Sequence, residues 1–125
     1  MSWARKPKYK NKKVERAGYS FASKLEASLF DFLKLREAAG EIRDIQLQDT
    51  VYLTAARIIY KPDYKFFEIE ENDFAWAESK GFETSDWRIK RRLWLSYGPG
   101  KLYIYKGTAA RLVLDEILIP KGEAA

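Results

Sequence analysis

The chain contains no cysteine and no histidine. Without cysteine there are no disulfides, thiolate zinc sites or thiol nucleophiles. Without histidine there is no imidazole general base, no Ser-His-Asp triad and no histidine-ligated metal. Catalysis in this sequence would have to use carboxylates, Lys, Tyr or Ser. The ions that such side chains suit are hard, oxygen-liganded ones such as Mg²⁺, with Mn²⁺ as a substitute. Long apolar runs are missing too: none approaches the roughly 20 residues that cross a bilayer. The basic N-terminus has no apolar stretch behind it of the kind a secretory signal carries. The expectation is a cytoplasmic protein with no membrane partner.

What is present points to one packed domain. A chain of 125 residues normally builds a single core, and 46% hydrophobic residues are ample for it, while 33% charged residues argue against a membrane protein. The net charge of +5 is unevenly placed. Arg5, Lys6, Lys8, Lys10, Lys12, Lys13, Arg16 and Lys24 crowd the start with only Glu15 against them, and Arg88, Lys90, Arg91 and Arg92 form a second cluster. Clusters of this kind favour a polyanion through phosphate neutralisation and counterion release. The competing explanation is a solvated arm and a solvated helix face.

Residues 1–18 read as a flexible basic arm and residues 19–125 as the folded domain, with Gly18 turning into the extended stretch Tyr19-Ser20-Phe21. A helix is predicted from Ser23 to Ala39: Ser23 and Glu26 fit a capping box and Gly40 suits the left-handed residue that ends a helix. Leu25, Leu29, Phe32, Leu33 and Arg36 recur at helical spacing, with Glu26 at the edge of that stripe. From Ile45 to Lys80 the pattern is extended, with β-branched and aromatic residues at 51–54 and 57–60. A second helix is predicted from a cap at Thr84, Ser85 or Asp86 to Tyr97, stopped by Gly98-Pro99-Gly100, before a strand over 101–106. Residues 109–119 fit either a helix or a strand, and their density of Leu and Ile would suit a dimer interface. Helix, strands, helix and strand in this order predict an α/β fold, with a mixed central sheet flanked by helices.

Residues 63–69 and 74–80 flank the polar turn Glu70-Glu71-Asn72-Asp73 and read as a hairpin. If that turn closes it, Ile69 pairs with Phe74, Asp63 lies opposite Lys80, and Lys65 faces Glu78. Strand side chains alternate, so Asp63, Glu78 and Lys80 share a face. Opposed Cβ atoms are about 5 Å apart and diagonal ones about 7–8 Å. Two carboxylates and an ammonium converge at a spacing that suits a hydrated divalent ion.

Pro62-Asp63 followed by Glu78-Ser79-Lys80 resembles the signature of the PD-(D/E)XK nucleases. Ser23-Lys24-Leu25-Glu26 on the preceding helix resembles the helical Glu motif of their junction-resolving members. Lys80-Gly81 before a basic helix around Trp87–Trp94 resembles the phage endonuclease I type, and archaeal Holliday junction resolvases share the order of Glu, Asp and Glu-x-Lys. The resemblance covers roughly residues 18–105. It implies a restriction-endonuclease-like sheet in a prokaryotic or phage-infected cell. It also implies an Mg²⁺-dependent endodeoxyribonuclease that leaves a 5′-phosphate and a 3′-hydroxyl, working as a homodimer on branched double-stranded DNA. Asp63 and Glu78 would hold the ion with the Ser79 carbonyl, Glu26 would be a further ligand, and Lys80 would orient water or offset charge on the phosphate.

Simpler accounts exist for each residue. Glu26 could serve only the capping box, Asp63 could only initiate a turn, and Glu78 with Lys80 could be an exposed ion pair on an edge strand. Lys90 falls with Trp87, Trp94 and Tyr97 and could be a snorkelling residue. Arg88, Arg91 and Arg92, on another face, are the better candidates for phosphate contacts. Tyr19 and Phe21 could stack on an open base, although packing is the simpler role. The alternatives to a junction resolvase are a nuclease or nickase acting on other structured or damaged DNA, and a catalytically silent DNA-binding module.

Overall fold

The computed structural model of the chain describes residues 13–16 and 18–121. Lys10 and Lys12 lie outside the described residues, whereas Lys13 is described and exposed. The tail of the expected arm is a strand: β1 (Val14–Arg16) pairs antiparallel with β2 (Tyr19–Phe21), and Gly18 adopts φ +87° beside the turn. Phe21 is buried and packs on Phe30, so in this pair it is Tyr19 that is exposed.

Helix α1 (Lys24–Ala38) starts where expected, with the Ser23 hydroxyl accepting from the Glu26 N–H at 3.1 Å. It ends on Gly40 at φ +80°, with Gly40 N–H donating to Glu37 O and Glu41 N–H to Arg36 O. Those two bonds make a Schellman cap, which a residue free to adopt positive φ permits. The buried face is Ala27, Leu29, Phe30 and Leu33. Phe32, placed in the apolar stripe by spacing, is instead partly exposed at the rim against Tyr105.

Next come β3 (Ile42–Leu47), β4 (Val51–Tyr52), β5 (Ile59–Tyr60), β6 (Tyr64–Glu68), β7 (Asp73–Ser79), α2 (Ser85–Tyr97), β8 (Lys101–Thr108) and β9 (Arg111–Leu118). The ambiguous C-terminal stretch is therefore a strand. Five strands form a mixed sheet in the order β3-β6-β7-β8-β9, in which only β7 and β8 are parallel, joined by α2. The fold is α/β, a mixed central sheet flanked by helices. Helix α1 packs on Tyr64, Phe66, Ala75, Ala77 and Tyr105. Helix α2 and the small β4–β5 pair cover the other face, where Trp87, Trp94 and Tyr60 meet Trp76, Leu102, Ile104 and Leu118. Of the three candidate caps Thr84 is the one used, accepting from Trp87 N–H at 3.0 Å, and the helix ends at Gly98 as expected. No helix among the described residues is long and apolar enough to cross a membrane.

The β6–β7 hairpin sets the site. Its loop is Ile69-Glu70-Glu71-Asn72, closed by Glu68 paired with Asp73, one residue earlier than the sequence suggests. Asn72 sits at φ 55° and donates its N–H to Ile69 O. Asparagine tolerates this left-handed position better than the aspartate that the other loop would place at its end, since its amide is uncharged and hydrogen-bonds locally. Moving the loop by one residue moves the strand register by two, so every side chain keeps its face. Asn72→Gly should therefore leave urea-unfolding stability within about 0.5 kcal/mol, whereas Asn72→Val, β-branched at positive φ, should lower it by about 1–2 kcal/mol.

Candidate active site

Continuing the observed register one pair beyond Tyr64–Ala77 brings Asp63 beside Glu78, not beside Lys80. The Asp63 N–H donates to Glu78 Oε1 at 2.9 Å. Asp63 Oδ2 accepts from both the Ser79 N–H at 2.9 Å and the Ser79 hydroxyl at 2.8 Å. Lys80 Nζ lies 3.2 Å from Glu78 Oε2 and 4.4 Å above the Trp87 ring, while its backbone N–H donates to Tyr105 O. Lys80 is thus fixed at both ends, by the β8 backbone and by an aromatic face that favours a cation. Asp63, Glu78 and Lys80 do come together, with the partners shifted by the register correction.

Glu26 approaches from α1. The Tyr64 hydroxyl donates to Glu26 O at 2.7 Å and ties the first turn of the helix to the first residue of β6. The Glu26 carboxyl turns back to the Ala22 N–H, one residue ahead of the cap, rather than to the Ser23 N–H that a capping box would use, and it feels the charge of Asp63.

Asp63 and Glu78 share one ammonium, and Glu26 is near enough to feel the charge of Asp63, which makes an electrostatic problem. Burial, then the charge of Asp63, pushes Glu26 up to about 7. Burial, then Asp63, likewise pushes Glu78 to about 7, against the lowering pull of Lys80 and the Asp63 N–H. Asp63 is raised by burial in spite of its two Ser79 hydrogen bonds and Lys80. Hard oxygen donors with excess negative charge in poor solvation match the chemistry of a divalent cation, so the residues present fit Mg²⁺ or Mn²⁺ in donor type. They are not gathered as a finished cage: among the described residues no three acidic side chains converge as a ligand set. The carboxylate oxygens are instead turned to Ser79, Lys80 and the Asp63 N–H.

Ser79 was expected to act through its carbonyl. In the fold its N–H and hydroxyl hold Asp63, a role that the variable position of Glu-x-Lys does not advertise. Tyr60 is the site neighbour that sequence reasoning missed. It is 7% exposed, on β5, and burial together with the charges of Glu78 and Asp63 raises its pKa. Its position three residues before Asp63, in an aromatic β-branched segment, was the available signal.

The basic residues divide. Arg88 and Arg92 are exposed on α2, and with Arg91, Glu83 and Glu116 they line a depression of about 390 Å³. Arg91 is committed to Glu116 through both its Nε and its Nη2, which leaves it less suited to a phosphate than the sequence suggested. Lys90 reaches Asp86 at 3.7 Å while Trp87 and Trp94 are buried, in keeping with a surface ion pair above packed aromatics. Lys24 is exposed at the start of α1. At the opposite end of the sheet a cavity of about 530 Å³ contains Arg36, Glu41, Glu68, Lys101 and Tyr103. Within it Arg36 pairs with Glu41 at 2.8 Å, and Glu68 with Lys101 at 3.5 Å and the Tyr103 hydroxyl at 2.6 Å.

Fold and site together define an α/β protein with a carboxylate–lysine cluster at the open end of its central hairpin. The chain belongs to the family described as Protein of unknown function (DUF1064), whose model matches residues 6–107 and so spans Glu26, Asp63, Glu78, Lys80 and α2. No curated protein matches it.

The raised carboxyl of Glu26 gives a pH signature. Its pKa is 4.5 ordinarily and about 7 in the fold, so its contribution to stability is complete below about 4.5 and is lost as pH rises through 7. Glu26→Gln, which stays neutral, should raise the metal-free Tm at pH 8 by roughly a few degrees, an effect trimmed by the group's partial exposure. At pH 4 calorimetry should find wild type and variant within about a degree of each other. Equal shifts at both pH values would count against the buried-charge account.

Proposed function

We propose that this protein is a metal-dependent, structure-selective DNA endonuclease of the PD-(D/E)XK type, a Holliday junction resolvase acting as a homodimer in the cytoplasm of a prokaryotic or phage-infected cell. The observation that carries this reading is Asp63, immediately before β6, hydrogen-bonded to Glu78 on β7, two positions before a lysine seated on Trp87. Glu26, brought alongside by α1, matches the helical glutamate of the junction-resolving members.

In this reading Asp63 and Glu78 would hold Mg²⁺, with Glu26 and the Ser79 carbonyl as further ligands. A bound ion of this kind supplies Lewis acidity to a phosphate oxygen and makes water more acidic. The chain's own residues do the rest. Ser79 keeps Asp63 oriented through two hydrogen bonds. Lys80, held by Trp87 and by its backbone bond to Tyr105, presents an ammonium to charge growing on the phosphate. Exposed Arg88 and Arg92, on the helix that follows Lys80, take backbone phosphates.

A four-way junction offers two symmetry-related strands, which a two-fold dimer would meet with one site each. The outer strand β9 supports such an assembly: Val113, Leu114 and Ile117 are exposed on a strand that ends the sheet.

Incubation of a labelled immobile junction with the protein and Mg²⁺ should give paired, symmetric nicks near the branch point. EDTA should abolish them, and Asp63→Asn and Lys80→Ala should each reduce them by at least about a hundredfold. Equal cleavage of linear duplex would leave a nuclease without junction selectivity. Binding without cleavage would make the protein a silent DNA-binding module. Arg88→Ala and Arg92→Ala should each weaken junction binding and lower the slope of log affinity against log salt by about 1, with a smaller effect for the Glu116-paired Arg91.

A further inference from the structure

Tyr60 is expensive to keep as a tyrosine. The residue is 7% exposed, and among the described residues its hydroxyl has no hydrogen-bond partner. Its ring is clamped, 5.8 Å from Trp94 in an edge-to-face contact and 5.9 Å from Trp87, while β5 pairs it with Val51. Phenylalanine would make the same ring contacts and leave no polar atom unpaired. A buried hydroxyl without a partner weakens the fold, and side chains retained at such a cost are concentrated at working sites.

The surroundings of this hydroxyl are specific. The charges acting on it are those of Glu78 and Asp63, in that order, and Glu78 is close without meeting hydrogen-bond geometry. Trp87, one of its two ring partners, is also the seat of Lys80. Glu78 meanwhile has both oxygens engaged, Oε1 by the Asp63 N–H and Oε2 by Lys80. If Glu78 turns one oxygen to a cation, it gives up one of those donors. Tyr60, whose buried hydroxyl has no partner among the described residues and whose ring lies against the Trp87 that seats Lys80, is the donor positioned to replace it.

We infer that Tyr60 is a positioning residue of the site, whose buried hydroxyl donates to Glu78 and holds that carboxylate in the orientation that takes a divalent cation. The inference rests on the nuclease reading, in which Glu78 is a metal ligand. It adds a residue from the small β4–β5 pair, an element outside the hairpin and α1.

The test is Tyr60→Phe beside wild type and Asp63→Asn, all as full-length chains. Thermal unfolding is followed with EDTA and across a titration of Mn²⁺ or Mg²⁺, and the affinity for Mn²⁺ is measured by calorimetry. Removing an unpaired hydroxyl should leave the metal-free Tm of Tyr60→Phe equal to wild type or higher. Its Mn²⁺ affinity should fall by roughly tenfold, the weight of one hydrogen bond to a charged group, with a smaller metal-induced rise in Tm. A purely structural residue would show the reverse, a lower metal-free Tm with an unchanged metal affinity, and that result overturns the inference. Wild-type affinity in Tyr60→Phe, with Asp63→Asn defective, also overturns it and leaves the metal site standing. Absence of a metal response in wild type overturns the metal-dependent reading itself, and this inference with it.

Discussion

Asp63, immediately before β6, faces Glu78 on β7 with one ammonium, Lys80, set against them. Burial makes both harder to ionise, and the charge of Asp63 makes Glu78 harder still. Such a pair persists only where the surrounding structure supplies donors and holds them rigidly. The backbone N–H of Asp63 and both donors of Ser79 are those groups, and all of them belong to the hairpin that creates the repulsion. The hairpin is thus both the origin of the electrostatic strain and its main restraint.

The remaining elements fix this hairpin end from both faces. On one face, Tyr64 packs against Phe30 and bonds Glu26 O, so the start of β6 and the first turn of α1 move as one unit. On the other, α2 places Trp87 beneath Lys80 and Trp94 against Trp76, and Tyr60 fills the space between the two helix tryptophans. The parallel pairing of β7 with β8 adds the backbone bond from Lys80 to Tyr105 and requires the crossover that α2 provides. A cluster of charges at a strand end is therefore supported by an almost wholly aromatic and aliphatic frame. Low dielectric around the carboxylates is a consequence of that packing.

Much of this is legible in the sequence. The α1 boundaries were written in Ser23 and Gly40, and the α2 boundaries in Thr84 and Gly98, because caps are local chemistry. The shared face of Asp63, Glu78 and Lys80 followed from strand alternation and survived a misplaced loop, since a two-residue register shift preserves parity. The opposed partners did not survive it, because the choice between two overlapping four-residue loops turns on which residue takes positive φ. Residues 109–119 could not be decided, as a short apolar run fits either period until a neighbouring strand accepts its hydrogen bonds. The pairing of Arg91 with Glu116 and the approach of Tyr60 to Glu78 span separations that no local pattern encodes.

By itself, then, the sequence determined which chemistry was open to this protein. Lacking histidine and cysteine, it is left with carboxylates, lysine, tyrosine and serine, and its local signals place Asp63, Glu78 and Lys80 on one hairpin face and Glu26 on a helix start. Tertiary structure decided how those groups stand to one another: Asp63 opposite Glu78, Ser79 as the restraint on Asp63, Trp87 under Lys80, and Tyr60 buried beside the pair. The physical reason is range. Caps, turns and strand alternation are set within a few residues, whereas desolvation and charge–charge repulsion depend on every element packed around the group.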